Sequence, residues 1–256
     1  MALSFVPIEG GRLAFERAGA GPPLVLLHGL GLDKGAWAGV ARLLEGRFDT
    51  IRLDLRGHGD SSPWDGPYVP HDDVARAFDT LGLARAHVAG LSQGGAVALD
   101  LALAHPARVR SLALVDAVLG GHRWSDAYRD SIRAIRARGR AEGAEAARAA
   151  WAAHPLFAGI PDATAWLARD SGRRWIERDP ARGLDPPAAG RLGEVHAATL
   201  VVVGARDLPD FQAMARALAD GIPGARRIVL EGIGHLAPLE APSRVAQLIA
   251  EHAARA

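Results

Sequence analysis

Val88-Ala89-Gly90-Leu91-Ser92-Gln93-Gly94-Gly95 is the stretch around which the rest of the chain can be arranged. An apolar run leads into it and helix-compatible residues follow it, which predicts a strand that turns sharply into a helix with Ser92 at the apex. The spacing of Gly90, Ser92 and Gly94 fits G-x-S-x-G, a pattern typical of a serine held in a strained turn. Small flanking residues are needed because larger side chains would collide with neighbouring backbone. A glycine-rich turn with an exposed serine fits the same pattern, so the interpretation needs support from elsewhere in the chain.

Length and composition limit the kinds of protein to consider. The 256 residues are 49% hydrophobic, enough for one large α/β unit carrying an insertion. Thirty basic and 29 acidic residues give a net charge of +1. A charge this small creates no strong positive potential that would attract nucleic acid or an anionic membrane. The absence of cysteine excludes disulfides and cysteine nucleophiles. Without a signal-like N-terminus or an apolar run of roughly 18 residues, we expect a cytoplasmic protein, monomeric or a small homo-oligomer, that acts on small molecules.

Short apolar runs alternate with helical patterns along most of the chain. This rhythm predicts a doubly wound, mostly parallel sheet of the eight-stranded type with helices on both faces. A turn at Glu9-Gly10-Gly11 predicts a hairpin and hence an antiparallel edge. The remaining strands are predicted at 24–27, 48–55, 86–89, 109–115, 198–203 and 226–230.

The alternation of strand and helix patterns is interrupted between residues 120 and 193, where no strand pattern is found. Helical Ala/Arg-rich pieces and four tryptophans predict a helical cap inserted into the fold, with residues 1–119 and 194–256 forming the core domain. The Arg-rich part from 133 to 148 contains interspersed acidic residues, which is typical of a solvated helix face rather than a partner surface.

Chemically useful side chains follow several predicted strands. Ligands bind an open α/β sheet at the carboxyl ends of its strands, where Ser92, Asp207 and His235 are all expected. A serine nucleophile needs an imidazole to accept its proton and a carboxylate to orient that imidazole. The order serine, aspartate, histidine is the one that accompanies the strand-turn-helix serine. Asp116 and Asp210 are alternatives for the acid, since Asp116 also ends a strand and Asp210 lies three residues beyond Asp207.

Taken together, these features resemble the α/β-hydrolase fold family with a helical cap. The matching segments are spread over nearly the whole chain outside the cap; they are Leu26-Leu27-His28-Gly29-Leu30-Gly31, Asp54-Leu55-Arg56-Gly57-His58-Gly59-Asp60-Ser61, Gly90-Leu91-Ser92-Gln93-Gly94-Gly95, Gly204-Ala205-Arg206-Asp207 and Gly234-His235. Within the family, the pattern is similar to small esterases, enol-lactonases, C–C bond hydrolases and cofactor-free haloperoxidases. A serine at this position disfavours the related dehalogenases and epoxide hydrolases, which use aspartate there.

The resemblance implies further site residues. The backbone N–H groups of Leu30 and Gln93 are expected to form an oxyanion hole, and His28 and Gly29 to shape the loop beside it. From the cap, apolar side chains are expected to contact substrate: Trp124, Trp151, Leu156, Phe157 and Trp166. No cofactor or metal is expected, because no histidine–carboxylate spacing suggests a metal site.

The predicted activity is hydrolysis of a small or medium apolar carboxylic ester through an acyl-enzyme intermediate. An enol-lactonase, a C–C bond hydrolase or a cofactor-free perhydrolase would use the same three side chains and stays open as an alternative. From a different class, a slow-turnover ligand receptor or signalling protein on the same fold also fits the sequence.

Overall fold

The computed structural model describes residues 3–256, whose strands form one eight-stranded sheet. The strands are β1 (Ser4–Ile8), β2 (Gly11–Ala18), β3 (Pro23–Leu27), β4 (Asp49–Leu53), β5 (Ala86–Leu91), β6 (Val109–Val115), β7 (Ala198–Gly204) and β8 (Arg226–Leu230). Across the sheet the order is β1-β2-β4-β3-β5-β6-β7-β8. The β1–β2 and β2–β4 pairs are antiparallel and all other neighbours are parallel, which confirms the predicted sheet and its antiparallel edge.

The central strands are buried on both faces, as their continuous apolar runs predict. All six residues of β5 are buried, and so are the last four of β3 and the last six of β7. Leu26 of β3 lies between Arg52 of β4 and Ala89 of β5, so the three strands end at the same edge. That edge is where the loops carrying the predicted site residues converge.

Helices surround the sheet in two packed groups. The helices outside the β6–β7 connection are α1 (Ala38–Leu44), α2 (Pro70–Thr80), α3 (Gln93–Ala104), α8 (Pro209–Gly221), α9 (Ala237–Glu240) and α10 (Pro242–Ala253). Helices α1 and α10 pack against each other, and α2 packs against α3, which also contacts β5 and β6.

Between β6 and β7 lies a helical insertion, residues 116–197. It contains α4 (Asp126–Glu142), α5 (Ala144–Ala152), α6 (Ala163–Trp166) and α7 (Arg173–Ile176). Trp151 and Trp175 are each 2% exposed and their rings lie 5.0 Å apart, so they form part of the insertion's own core. Two hydrogen bonds of 2.9 Å join the insertion to the loop between β4 and α2. Arg173 Nη1 donates to the Trp64 carbonyl and Arg174 Nη2 to the Gly57 carbonyl.

The turn between β5 and α3 is tightly packed. A Cβ atom at Gly90 would lie 2.2 Å from the carbonyl oxygen of Gly94, and one at Gly94 would lie 2.3 Å from that of Leu27. Glycine at these positions therefore lets α3 begin directly against β3 and β5. This close approach explains why the G-x-S-x-G spacing predicts the turn.

Within residues 3–256, no helix combines the length and apolarity that crossing a bilayer requires.

Candidate active site

Ser92 occupies the apex between β5 and α3 with an unusual backbone conformation. Its φ and ψ are 53° and −115°, a region that residues other than glycine rarely adopt. Hydrogen bonds hold it there: its N–H donates to the Val115 carbonyl at 2.9 Å, and its carbonyl accepts from the N–H of Gly95 and of Val118 at 3.0 Å each. A residue that its surroundings hold in an unfavourable backbone conformation is typical of functional positions.

A continuous hydrogen-bonded line joins three side chains from separate loops. Ser92 Oγ lies 3.0 Å from Nε2 of His235, and Nδ1 of His235 lies 2.8 Å from Oδ2 of Asp207. His235 follows β8 and Asp207 follows β7, and all three side chains are buried. With Nδ1–H donating to the carboxylate, Nε2 is left as the acceptor for the serine hydroxyl proton. The arrangement can therefore deprotonate Ser92 during an attack on a carbonyl.

Asp116, one alternative for the acid, is engaged elsewhere. It is fully buried, with Oδ1 accepting from Gly204 N at 2.9 Å and Oδ2 from Ala237 N at 3.3 Å. Burial and the neighbouring Asp207 raise the pKa of its carboxyl group well above the usual value. In this structure Asp116 joins β7 to α9 and makes no hydrogen bond to His235.

Asp210, the other alternative, binds the insertion. Its two carboxylate oxygens accept from the backbone N–H and the hydroxyl of Ser125 at 2.7 Å each, and His122 Nε2 lies 3.6 Å away. Although burial opposes ionisation, the hydrogen bonds from Ser125 lower the pKa of Asp210. Because Ser125 is the N-cap of α4, Asp210 fixes where that helix begins.

The expected oxyanion-hole residues lie on either side of Ser92. Gln93 is the first residue of α3, so its N–H is one of the helix's unsatisfied donors. Leu30 belongs to the loop after β3, which passes so close that a Cβ at Gly29 would lie 3.2 Å from Cβ of Ser92. Both residues contribute to the wall of the cavity described below.

His28 lies beneath this loop rather than in the cavity. It is fully buried, with Nδ1 2.8 Å from the Gly29 carbonyl and Nε2 accepting from Leu55 N at 2.9 Å. Burial lowers its pKa, so the ring is neutral and Nδ1–H donates to Gly29. The expected shaping of the loop is consistent with this contact, but the structure does not bring His28 to the substrate side.

A cavity of about 200 Å³ opens above Ser92 between the sheet and the insertion. Five of the residues expected to contact substrate line it, namely Gly29, Trp124, Trp151, Leu156 and Phe157. Trp166 of α6 does not line the cavity; its ring lies near Gly35, where a Cβ would be 3.7 Å from Cζ3 of Trp166. Four further residues line the cavity without having been expected from the sequence, namely Leu32, Val118, Tyr128 and Leu236.

Aromatic rings connect the insertion to the imidazole of His235. Trp124 stacks on Tyr128 at 4.1 Å and 15°, and its edge meets Phe211 at 5.6 Å. Phe211 lies 4.1 Å from the His235 ring. This packing restricts the imidazole to the orientation in which both its nitrogens are hydrogen-bonded.

Among the described residues 3–256, no group of three or more His, Asp or Glu side chains is arranged to hold a metal ion.

Comparison with known proteins identifies the family of the chain. A family model described as the α/β hydrolase fold matches residues 22–138. A protein of Azorhizobium caulinodans provisionally named carbamate hydrolase RutD is 31% identical over 232 residues, which cover 84% of each chain. Several other curated relatives match over shorter stretches that span 30–40% of their own lengths.

Two solved structures extend the likeness to the whole fold. An enol-lactonase from Burkholderia xenovorans LB400 superposes with a TM-score of 0.81 at 26% identity, covering 97% of this chain and 99% of that one. A thermophilic esterase from Thermogutta terrifontis gives a TM-score of 0.78 at 28% identity, covering 100% and 99%. The chain thus belongs to the α/β-hydrolase fold family and is a hydrolase of that family.

Proposed function

We propose that this protein is a serine hydrolase that cleaves small or medium apolar carboxylic esters through an acyl-enzyme intermediate. The observation that carries the proposal is the unbroken line from Ser92 Oγ through His235 to Asp207, with hydrogen bonds of 3.0 and 2.8 Å. Each member has the role that its contacts support: Ser92 is the nucleophile, His235 the general acid–base and Asp207 the group that orients the imidazole.

In the first half-reaction, Ser92 Oγ attacks the carbonyl carbon while His235 Nε2 takes the hydroxyl proton. The N–H groups of Leu30 and Gln93 stabilise the developing oxyanion. His235 then gives its proton to the departing alkoxide, and the ester C–O bond breaks. In the second half-reaction, water attacks the acyl carbonyl carbon while His235 Nε2 accepts its proton. The acyl C–Oγ bond then breaks as His235 returns that proton to Ser92 Oγ, and the carboxylic acid is released.

The cavity supports an apolar substrate of modest size. Its volume is about 200 Å³, and its wall is mainly aliphatic and aromatic. We propose that residues 120–193 act as a cap domain on the core formed by 1–119 and 194–256, since α4 and α5 supply Tyr128 and Trp151 to that wall.

Hydrolysis of p-nitrophenyl acetate, butyrate, hexanoate and decanoate tests the proposal. We expect an acyl-enzyme burst followed by steady turnover that favours the shorter chains, and a loss on the order of 10⁵–10⁶ in kcat for Ser92→Ala. Ser243→Ala, an exposed serine of α10, is the matched control and should keep wild-type rates. Undiminished turnover by Ser92→Ala would reject Ser92 as nucleophile, and a burst with negligible turnover would favour the receptor class.

Enol-lactone hydrolysis is the second candidate. The superposition on the enol-lactonase, over 97% of this chain, is the observation that favours it. The same assay with a five-membered enol-lactone separates the two activities. A kcat/KM for the lactone well above that for every open-chain ester would identify the lactone as the better substrate.

A further inference from the structure

Tyr128 lines the cavity above Ser92 and carries a hydroxyl group that no described residue engages. Its backbone is hydrogen-bonded, since Tyr128 N donates to Ser125 Oγ at 3.2 Å and its carbonyl accepts from Ser131 Oγ at 2.7 Å. Within residues 3–256, no protein group forms a hydrogen bond with its side-chain oxygen. Ser92 is the other hydroxyl among the residues that line this cavity, so Tyr128 supplies the hydroxyl on the insertion side.

The ring that carries this hydroxyl is held in place. One face stacks on Trp124 at 4.1 Å, and the edges of Phe211 and His154 approach at 6.2 and 6.0 Å. The helix start beneath it is fixed by Asp210 through Ser125. A donor on a ring packed this way is pre-organised, so little conformational freedom is lost when a ligand accepts its hydrogen bond.

Two side chains of the insertion bring to this cavity a polar group that has no hydrogen-bond partner among residues 3–256, and each group can donate. Burial, with the nearby Asp210 and Asp207 carboxylates, raises the pKa of Tyr128 to about 12, so the phenol stays protonated at neutral pH. Trp151 Nε1 is buried and lacks an acceptor among the described residues. The lining residues between them are largely apolar, for example Leu32, Val118 and Leu156. The insertion side of the cavity therefore offers two unpaired donors, whereas Gln93 of α3 brings an unpaired acceptor, Oε1, to the same wall. An acceptor oxygen on the substrate would pair with the donors of the insertion.

We propose that Tyr128 determines specificity by donating a hydrogen bond to a second acceptor oxygen of the substrate, a keto or similar carbonyl separate from the scissile ester. The inference rests on the proposed function, because it assumes that the cavity receives the ester. A purely alkyl substrate would remove water from the hydroxyl without replacing its hydrogen bond, which weakens binding on the order of tenfold. The preferred substrates are thus oxo esters rather than plain alkyl esters.

Binding to the Ser92→Ala variant tests this without requiring turnover. Each keto ester is paired with an alkyl ester of similar shape: methyl acetoacetate with methyl isovalerate, and methyl levulinate with methyl isocaproate. Titration calorimetry should show that at least one keto ester binds on the order of tenfold more tightly than its partner. The preference should fall to about one in Ser92→Ala/Tyr128→Phe, which keeps the ring and removes the oxygen.

Tyr68, the other of the chain's two tyrosines, provides the control. It lies outside the cavity with its ring 5.1 Å from the Arg56 guanidinium, so Ser92→Ala/Tyr68→Phe should keep the keto preference. Equal affinities within both ester pairs, no detectable binding of any of the four esters, or a preference that survives Tyr128→Phe would overturn the proposal. A keto preference that depends on Tyr128 in a protein whose wild type hydrolyses no ester would support the binding role and refute the proposed hydrolysis.

Discussion

Asp207 and Asp210 are three residues apart, yet their carboxylates serve different neighbours. Asp207 contacts His235 at 2.8 Å, whereas Asp210 accepts two hydrogen bonds from Ser125 at the start of α4. We therefore expect Asp207→Asn to lower kcat by about 10⁴, because the amide favours the wrong imidazole tautomer. Asp210→Asn should change kcat less than tenfold and act mainly on KM, because it weakens the attachment of the insertion. Steady-state kinetics on one p-nitrophenyl ester checks both.

The kinetic ranking has a structural control. The Asp207→Asn protein should unfold at nearly the wild-type temperature, since its loss concerns proton transfer rather than packing. A larger fall in kcat for Asp210→Asn than for Asp207→Asn would assign the acid to Asp210 and contradict the geometry.

The sequence predicts the three side chains of the hydrogen-bonded line, but it does not predict every residue of the cavity wall. Ser92 and Asp207 follow strands with strong apolar patterns, and His235 lies in the loop after the more exposed strand β8, so their common edge can be expected. Tyr128 could not be anticipated in this way, because its position depends on how α4 packs onto Phe211 and Trp124. Trp166 shows the opposite error, since an aromatic residue in the insertion need not face the cavity.

The approach of α3 to β3 depends on Gly94. A Cβ there would lie 2.3 Å from the Leu27 carbonyl oxygen and 2.5 Å from that of His28, both backbone atoms that cannot move aside cheaply. Alanine gains up to about 1 kcal/mol of helix propensity over glycine. The steric cost should outweigh it, so we expect Gly94→Ala to lower the free energy of unfolding by about 1–3 kcal/mol.

Denaturant unfolding measures this change. Gly46→Ala is the matched control, because a Cβ there meets no atom within 4 Å, and it should leave stability nearly unchanged. Gly94→Ala should also slow ester hydrolysis, since the displaced His28 carbonyl belongs to the loop that carries Leu30. Equal unfolding free energies for Gly94→Ala and the wild type would show that α3 does not need this close approach.

Elements with strong periodic patterns are predicted well, and those of the insertion are not. All eight strands occur close to their expected positions, and α3 ends at Ala104, where His105-Pro106 follows. In the insertion, α6 and α7 have four residues each and their boundaries could not be read from the sequence. Such short helices depend on tertiary contacts, here hydrogen bonds from Arg173 and Arg174 to the core.

For the whole molecule, the chain order of strands and helices was sufficient to predict a parallel sheet with an antiparallel edge. The order of the strands within the sheet, in which β4 lies between β2 and β3, depends on long-range pairing that local patterns do not contain. The same limitation applies to the cavity, which exists because the insertion folds back over the carboxyl edge of the sheet.

We expect the buried histidines to make the stability of the whole molecule sensitive to acid. Burial lowers the pKa of each of six of them, namely His28, His58, His71, His87, His154 and His252. The unfolded chain binds protons at these groups near pH 6.5, whereas the folded chain resists until lower pH. Stability should therefore decrease as pH falls below about 6.5. Asp100, whose pKa burial raises to about 6, opposes this by taking up a proton in the folded state.

His87 provides the sharpest test, because it lies inside the sheet on β5 and its Nδ1 is 2.7 Å from Ser111 Oγ on β6. Burial and, to a smaller extent, the charge of Arg110 lower the pKa of His87 to about 4. The stability that the neutral His87 contributes is therefore lost as the pH is lowered from about 6.5 to about 4. We expect His87→Asn to reduce the loss of unfolding free energy across that window by at most about 3 kcal/mol. The exposed His196→Asn variant should keep the wild-type slope. Denaturant unfolding at a series of pH values gives both slopes, and identical slopes for His87→Asn and the wild type would mean that His87 does not resist protonation in the fold.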